Sequence, residues 1–270
     1  MNRFARFAAS ALALSLVPAM LMGCGKKETA ASSDLDYIKQ KGTLVVGITD
    51  FAPMDYQDAD GSWIGFDADL AKAFAESLGV EVQFQTIEWD NKVMELDGKT
   101  IDVVWNGMTL TDEVTSSMAC SNAYCNNAQV VILPADKAAG YSTTDSLSGL
   151  RFAVESGSAG MAQAEEKGLT YTDVVDQATA LLEVKSGTAD AAIIDSLMAG
   201  AMVGEGTNYA DLAIGPVLNA ETGEQYGVGF RKGSDAAAAL NEFFAEQWES
   251  GALQTLAEQY GVQAALIEQK

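Results

Sequence analysis

The feature that most restricts this chain is a set of short, almost wholly apolar runs, each followed by a stretch with helical spacing. Residues 43–48 read Thr-Leu-Val-Val-Gly-Ile, 101–105 read Ile-Asp-Val-Val-Trp, and 191–194 read Ala-Ala-Ile-Ile. Runs of this length without polar alternation fit strands covered on both faces, as in parallel sheets. Amphipathic stretches lie between and after them, at 68–78, 159–167, 178–186, 235–250 and 252–260. Further strands are expected at 80–87, 151–155, 170–175 and 226–230, with short helices at 36–41 and 91–96. A hairpin is expected at 56–64, turning over Asp58, Ala59, Asp60 and Gly61. Asp67 stands where a helix cap is expected, and Gly79 where that helix should end. Strand and helix in alternation imply an α/β fold, and the Leu133-Pro134 step divides it into two α/β units.

One junction carries the polar groups of a site. Residues 102–114 read Asp-Val-Val-Trp-Asn-Gly-Met-Thr-Leu-Thr-Asp-Glu-Val. A buried strand over 103–105 is expected to break at Asn106-Gly107, a pair suited to tight turns and close backbone approach. Thr111, Asp112 and Glu113 then have the pattern of a helix start. A strand that runs into a polar turn and a helix N-terminus presents polar groups to a small ligand. Residues 102–114 are therefore expected to form a binding-site edge.

Charge and composition narrow the chemistry. The formal charge is −22, and there is no histidine. Nucleic-acid binding needs clustered Lys and Arg, so it is excluded as a class, as are histidine-based triads and histidine-ligated metal sites. Asp58, Asp60 and Gly61 faintly echo a calcium loop, but a hairpin turn explains them. Gly157-Ser158-Ala159-Gly160 lacks the spacing of a nucleophile elbow, and Gly227-x-Gly229 lacks that of a phosphate loop. No metal or cofactor is expected.

The N-terminus reads as a targeting segment. Arg3 and Arg6 precede an uncharged apolar run over 7–22 that is too short for a confident membrane span. Leu21-Met22-Gly23-Cys24 resembles a bacterial lipobox. Residues 1–23 are then a signal peptide, with Cys24 the lipidated first residue of the mature chain. Residues 24–41 form a lipid-anchored linker, small and polar over 25–34, and a short helix. Loss of the two leader arginines takes the formal charge to −24, leaving only Arg151 and Arg231. Cys120 and Cys125 remain as an even pair, which fits a disulfide closing a short loop and equally two small buried thiols.

Beyond these separate signals, the order of motifs over 42–260 resembles a known family. The pieces are Gly42 to Gly47, Phe51-Ala52-Pro53, Gly61 with Gly65-Phe66-Asp67, and Gly107-Met108-Thr109-Leu110-Thr111-Asp112. They continue with Gly187, Asp190 and Asp195, then Gly227-Val228-Gly229-Phe230-Arg231-Lys232. The chain resembles the extracellular solute-binding proteins of ABC importers for polar amino acids, family 3. The resemblance implies a two-lobed, periplasmic-binding-protein-like (type II) fold with two hinge strands, near 129–133 and 222–227. It places one lobe over 42–129 plus 226–270 and the other over 130–225, closing on a ligand by hinge motion. It further implies a monomer, held extracytoplasmically at the membrane by its lipid, that hands its ligand to ABC permease subunits.

Site residues carry over from the resemblance one at a time. Phe51 and Trp89 are placed as rings that face the ligand. Asn106, Gly107 and Thr109 match positions that contact its head group, and Asp195 matches the carboxylate that receives an ammonium. Ser158 opens a helix whose N-terminus faces the cleft. Two departures bear on the ligand. The arginine that clamps an α-carboxylate in the family is replaced by Val114, and a hydroxyl is replaced by Ala159. Glu155, where a neutral residue is common, adds a carboxylate to the same cleft. The expected ligand is thus a small polar amino acid or a cationic amine, held under aromatic rings. Two other readings stay open on the same fold: a cyclohexadienyl or arogenate dehydratase with Glu155 as its acid, and a ligand sensor.

Overall fold

The computed structural model describes residues 33–270. The expected signal peptide, Cys24 and most of the expected linker lie outside the described residues. From Ser33 the chain forms helix α1 (Asp34–Lys41), strand β1 (Thr43–Ile48) and the hairpin strands β2 (Tyr56–Gln57) and β3 (Trp63–Ile64). Helix α2 (Phe66–Leu78) leads to β4 (Glu81–Thr86), and α3 (Lys92–Asp97) to β5 (Val103–Thr109). After α4 (Asp112–Ser117) come β6 (Ala119–Cys120), β7 (Cys125–Asn127) and β8 (Gln129–Pro134). Alternation resumes with β9 (Arg151–Glu155), α5 (Ala159–Glu166), β10 (Thr170–Val174), α6 (Gln177–Ser186), β11 (Ala191–Asp195) and α7 (Ser196–Met202). Strands β12 (Leu212–Val217) and β13 (Glu224–Phe230) and helices α8 (Ala236–Ser250) and α9 (Ala252–Tyr260) follow.

Apart from the β2–β3 hairpin, these strands make two separate sheets among the described residues. The first has the order β4-β1-β5-β13-β6, with β7 also paired to β13, and the second has the order β10-β9-β11-β8-β12. The parallel pairs are β1–β4, β1–β5, β9–β10 and β9–β11, with the apolar runs seen in the sequence as β1, β5 and β11. Antiparallel strands complete each sheet: β13 on β5 in the first, β8 on β11 and β12 in the second. The chain leaves the first sheet after Asn127 and enters the second at Gln129, so only Ala128 lies between them. It returns between Val217 and Glu224.

Each sheet is covered by helices through apolar contact, the main driving term for such layers. In the first, Trp105 is fully buried between Phe74 of α2 and Phe244 of α8, with ring centroids 6.3 and 5.6 Å away. The C-terminal helices therefore belong to the first sheet, although the chain has built the second in between. At the end of β5 remote from the cleft, Arg231 donates to Asp34 (2.7 Å), to Asp102 (3.2 Å) and to the Ile101 carbonyl (2.8 Å). A second apolar cluster, including Phe152, Val154, Ile193 and Leu147, packs one face of the second sheet.

Two local expectations change, and the cysteine pairing that the sequence left open is decided. Strand β5 does not end at Asn106-Gly107 but runs on to Thr109. Pairing with β13 resumes at Met108 and Thr109 after a register shift, so the expected break is a bulge inside a strand. Asp67 does not cap α2, which starts at Phe66. It lies fully buried in the first turn, where its Oδ2 accepts from the Gly107 N–H (2.7 Å) and the Tyr124 hydroxyl (2.7 Å). Cys120 and Cys125 hold free thiols, opposite Gly229 and Tyr226 of β13 respectively. Among the described residues no helix is long and apolar enough to cross a membrane.

Candidate functional site

The loops after the parallel strands of both sheets converge on one cavity of about 410 Å³. All eight residues singled out from the sequence line it: Phe51, Trp89, Asn106, Gly107 and Thr109 from the first-sheet side, Glu155, Ser158 and Asp195 from the second. Parallel strands end at the same edge of their sheet, so residues far apart in the chain meet there. Val114 also lines the cavity and is 6 % exposed.

On the first-sheet side the wall is rigid. Asn106 uses all four of its side-chain hydrogen-bonding positions. Its Oδ1 accepts from the Thr49 N–H (3.1 Å) and hydroxyl (2.8 Å), while its Nδ2 donates to the Thr49 carbonyl (3.1 Å) and to Asp55 (2.8 Å). Asn106 thus ties the end of β1 to β5 and has no side-chain group left over. The Gly107 N–H is committed to Asp67. Gly107 has φ +54°, and a Cβ there would stand 2.3 Å from the Phe51 ring. That close approach seats Phe51, which meets Tyr226 edge-on at 6.3 Å. Thr111 caps α4 through its side chain, which accepts from the Val114 N–H (3.2 Å).

Across the cavity, Asp195 ends β11 with its carboxylate buried and held by three amides. Oδ1 accepts from Asn127 (2.8 Å) and Gln129, and Oδ2 from Gln177 (3.0 Å). It does not cap α7 with its side chain. The buried Tyr226 hydroxyl, which has no other partner, also bears on this carboxylate. Asn127 and Gln129 also donate to Glu224 at 3.3 and 2.8 Å. Two carboxylates therefore share two amides where the chain changes sheets. Burial, then the nearby Asp195 charge, pushes the Glu224 carboxyl up to about 7 against the pull of these donors. Burial likewise raises Asp195.

Ser158 caps α5 by accepting from the Met161 N–H (3.1 Å). The first N–H groups of that helix have no intrahelical partner and open near the cavity. Glu155 is 3 % exposed, and burial, followed by the Asp195 and Asp176 charges, pushes its carboxyl up to about 8.

A cation that sequence reasoning missed sits opposite. Lys92 is 9 % exposed, with Nζ 5.0 Å from the Trp89 ring, donating to the Trp89 carbonyl (3.2 Å) and across the cleft to the Gly157 carbonyl (3.0 Å). Gly157 has φ +68°, and a Cβ there would lie 2.7 Å from the Asp90 Cα, so the two sides touch through glycine. Nothing in the pattern of the short helix 91–96 marks Lys92. Among the described residues lining the cavity it is the one base, against the carboxylates of Asp90, Asp112, Glu113, Glu155, Glu165 and Asp195.

Comparison with known proteins shows the family and the fold. The sequence profile of the bacterial extracellular solute-binding proteins, family 3, matches residues 44–263. The L-cystine-binding protein TcyJ of Escherichia coli (strain K12) is 29 % identical over 262 residues, covering 96 % of this chain and 97 % of that protein. Among solved structures, a mutant of ArgBP from T. maritima superposes with a TM-score of 0.78 at 34 % identity, covering 84 % of this chain and 99 % of that one. An ancestral amino acid-binding protein, described as a precursor of cyclohexadienyl dehydratase, gives 0.76 at 30 % identity, covering 84 % and 99 %. These neighbours share the two-lobed α/β architecture. The chain belongs to the bacterial extracellular solute-binding proteins, family 3.

Proposed function

We propose that this solute-binding protein captures a small cation, a basic amino acid or an amine, between its two lobes and delivers it to an ABC importer. The observation that carries the reading is the charge of the cavity wall: six carboxylates against one lysine, with Asp195 and Glu155 buried in it. Buried carboxylates without a cationic partner favour a ligand that brings positive charge. Phe51 and Trp89 supply flat apolar walls, and a cation over such a ring gains further. A ligand carboxylate, if there is one, meets the third N–H of Lys92 and the first N–H groups of α5, since Val114 offers nothing to it. Asn106 acts by positioning the wall.

In this reading the lobes are the two sheets with their helices, and the hinges are the two crossings at Ala128 and between Val217 and Glu224. Cys24 carries the lipid that holds the mature chain at the outer face of the membrane. The relatives fit without fixing the ligand: TcyJ is named for L-cystine, ArtP of Bacillus subtilis for arginine, and a structural neighbour from Streptococcus pneumoniae holds histidine.

An enzymatic reading rests on Glu155, an acid that burial keeps protonated near neutrality in a cavity beside a lysine. A cyclohexadienyl dehydratase of Pseudomonas aeruginosa is 26 % identical over 175 residues. An anionic substrate would nevertheless face the five other carboxylates of the wall, so we read the chain as a receptor and not an enzyme. A thermal-shift panel on the mature protein tests both. L-arginine, L-lysine, agmatine and putrescine are expected to raise Tm, by about 5 °C or more for a ligand present at 100 times its Kd. L-glutamate is expected to leave it unchanged, and prephenate and arogenate to be left unconverted. Stabilisation by ordinary α-amino acids but not by amines lacking a carboxylate, or turnover of prephenate, would contradict the reading.

A further inference from the structure

Among the described residues that line the cavity, only Glu155 keeps a buried side-chain oxygen, Oε1, without a hydrogen-bond partner. It stands at the C-terminal end of β9, 3 % exposed. The groups that face it come from four directions: Asp195 from β11, Asp176 from the start of α6, Lys92 from α3, and the Thr49 hydroxyl from the loop after β1. Two of these are negative. The single positive one, Lys92, forms no ion pair within 4 Å and spends two of its N–H groups on the Trp89 and Gly157 carbonyls. An ionised carboxylate in this place would be desolvated, unpaired and beside a second carboxylate, which is the costliest state available to it.

We propose that Glu155 carries a proton in the ligand-free protein and releases it to solvent when the ligand's ammonium enters, so that the cleft exchanges one proton for one cation. The inference rests on the cationic reading of the cleft and adds the group that selects for charge. Only the carboxyl O–H bond breaks. The proton leaves to water or buffer, the electron pair stays on Glu155, and the resulting carboxylate accepts an N–H from the ammonium. A neutral ligand leaves Glu155 protonated and gains no ion pair from it, so a cation is preferred.

The direction of the pH dependence follows. Burial holds the free Glu155 carboxyl up to about 8, and an adjacent cation lowers it. The bound form holds fewer protons than the free form, so affinity is weakest in acid. It rises by up to about tenfold per pH unit and levels off above the free-protein midpoint.

Two measurements on the mature protein decide it. Carbon-detected NMR of the glutamate carboxyls between about pH 5 and 9 is expected to show two resonances with midpoints far above the ordinary glutamate value, those of Glu224 and Glu155, and Glu155→Gln is expected to remove the higher one. An ordinary midpoint for Glu155 overturns the proposal whatever the ligand. Calorimetric titration with agmatine at about pH 6.5, in two buffers of different ionisation enthalpy, is expected to show about one proton released per agmatine in the wild type. Glu155→Gln should bind with an affinity nearly independent of pH between about 6 and 8 and release correspondingly less. Equal release by both proteins overturns the exchange and leaves the cationic cleft standing. Failure of agmatine and every other cation to bind removes both.

Discussion

Gly107→Ala is expected to abolish ligand binding and to lower Tm by about 10 °C, on the scale of 2–4 °C per kcal/mol for a domain of this size. Two effects add. Alanine at φ +54° costs about 1–2 kcal/mol. Its Cβ would then stand 2.3 Å from the Phe51 ring and 3.1 Å from that of Tyr226, and overpacking of this kind costs about 1–3 kcal/mol. Phe51 is 2 % exposed and lies edge-on to Tyr226, so its ring has no free volume to enter except the cavity. Relief of the clash therefore fills the ligand's place. Differential scanning fluorimetry gives the stability change, and calorimetry with the strongest binder of the panel gives the affinity. Wild-type affinity in a stably folded Gly107→Ala protein would show that Phe51 does not border the ligand.

Asp195→Ala should separate binding from stability. The substitution removes the acceptor offered to an ammonium, and truncating one member of a buried charged pair costs about 2–5 kcal/mol, roughly 30-fold or more in affinity. For folding, opposing effects nearly cancel. Gln177 loses an acceptor at 3.0 Å, worth about 1–3 kcal/mol. Asn127 and Gln129 keep Glu224. In return, a buried carboxylate close to Glu155 and Glu224 is gone, and with it the repulsion that raises both of their pKa values. A Tm within a few degrees of wild type is expected, with binding lost. Near wild-type affinity would place the ammonium elsewhere, and a collapse of Tm would make Asp195 chiefly a structural tie.

The sequence made the parallel core legible because β1 and β11 are apolar on both faces, a pattern that few other structures tolerate. Strand β12 went unread because Gly215 and Pro216 interrupt its pairing with β8 in a bulge, and its side chains do not alternate cleanly. Asp67 was misread because a local pattern, an acid at a helix start, competes with a partner 40 residues away that no local rule contains. Eight of the residues that line the cavity were legible through the resemblance of the motifs to a known family. The state of each group was not. Asn106 has the right residue type for a ligand contact, yet Thr49 and Asp55 consume it. Glu224, Asn127 and Gln129 gain their meaning only where the chain changes sheets, across separations of 66 to 97 residues. Lys92 matters because its ammonium reaches Gly157, 65 residues on, across the cleft.

The central claim is that the cleft is built for a small positively charged solute. It is tested most directly by purifying the mature protein without refolding, denaturing it, and identifying the released small molecule by mass spectrometry. The account predicts a molecule bearing at least one ammonium or guanidinium group in excess of its carboxylates, small enough for a cavity of about 410 Å³. An acidic or uncharged solute, recovered in stoichiometric amount, would contradict it.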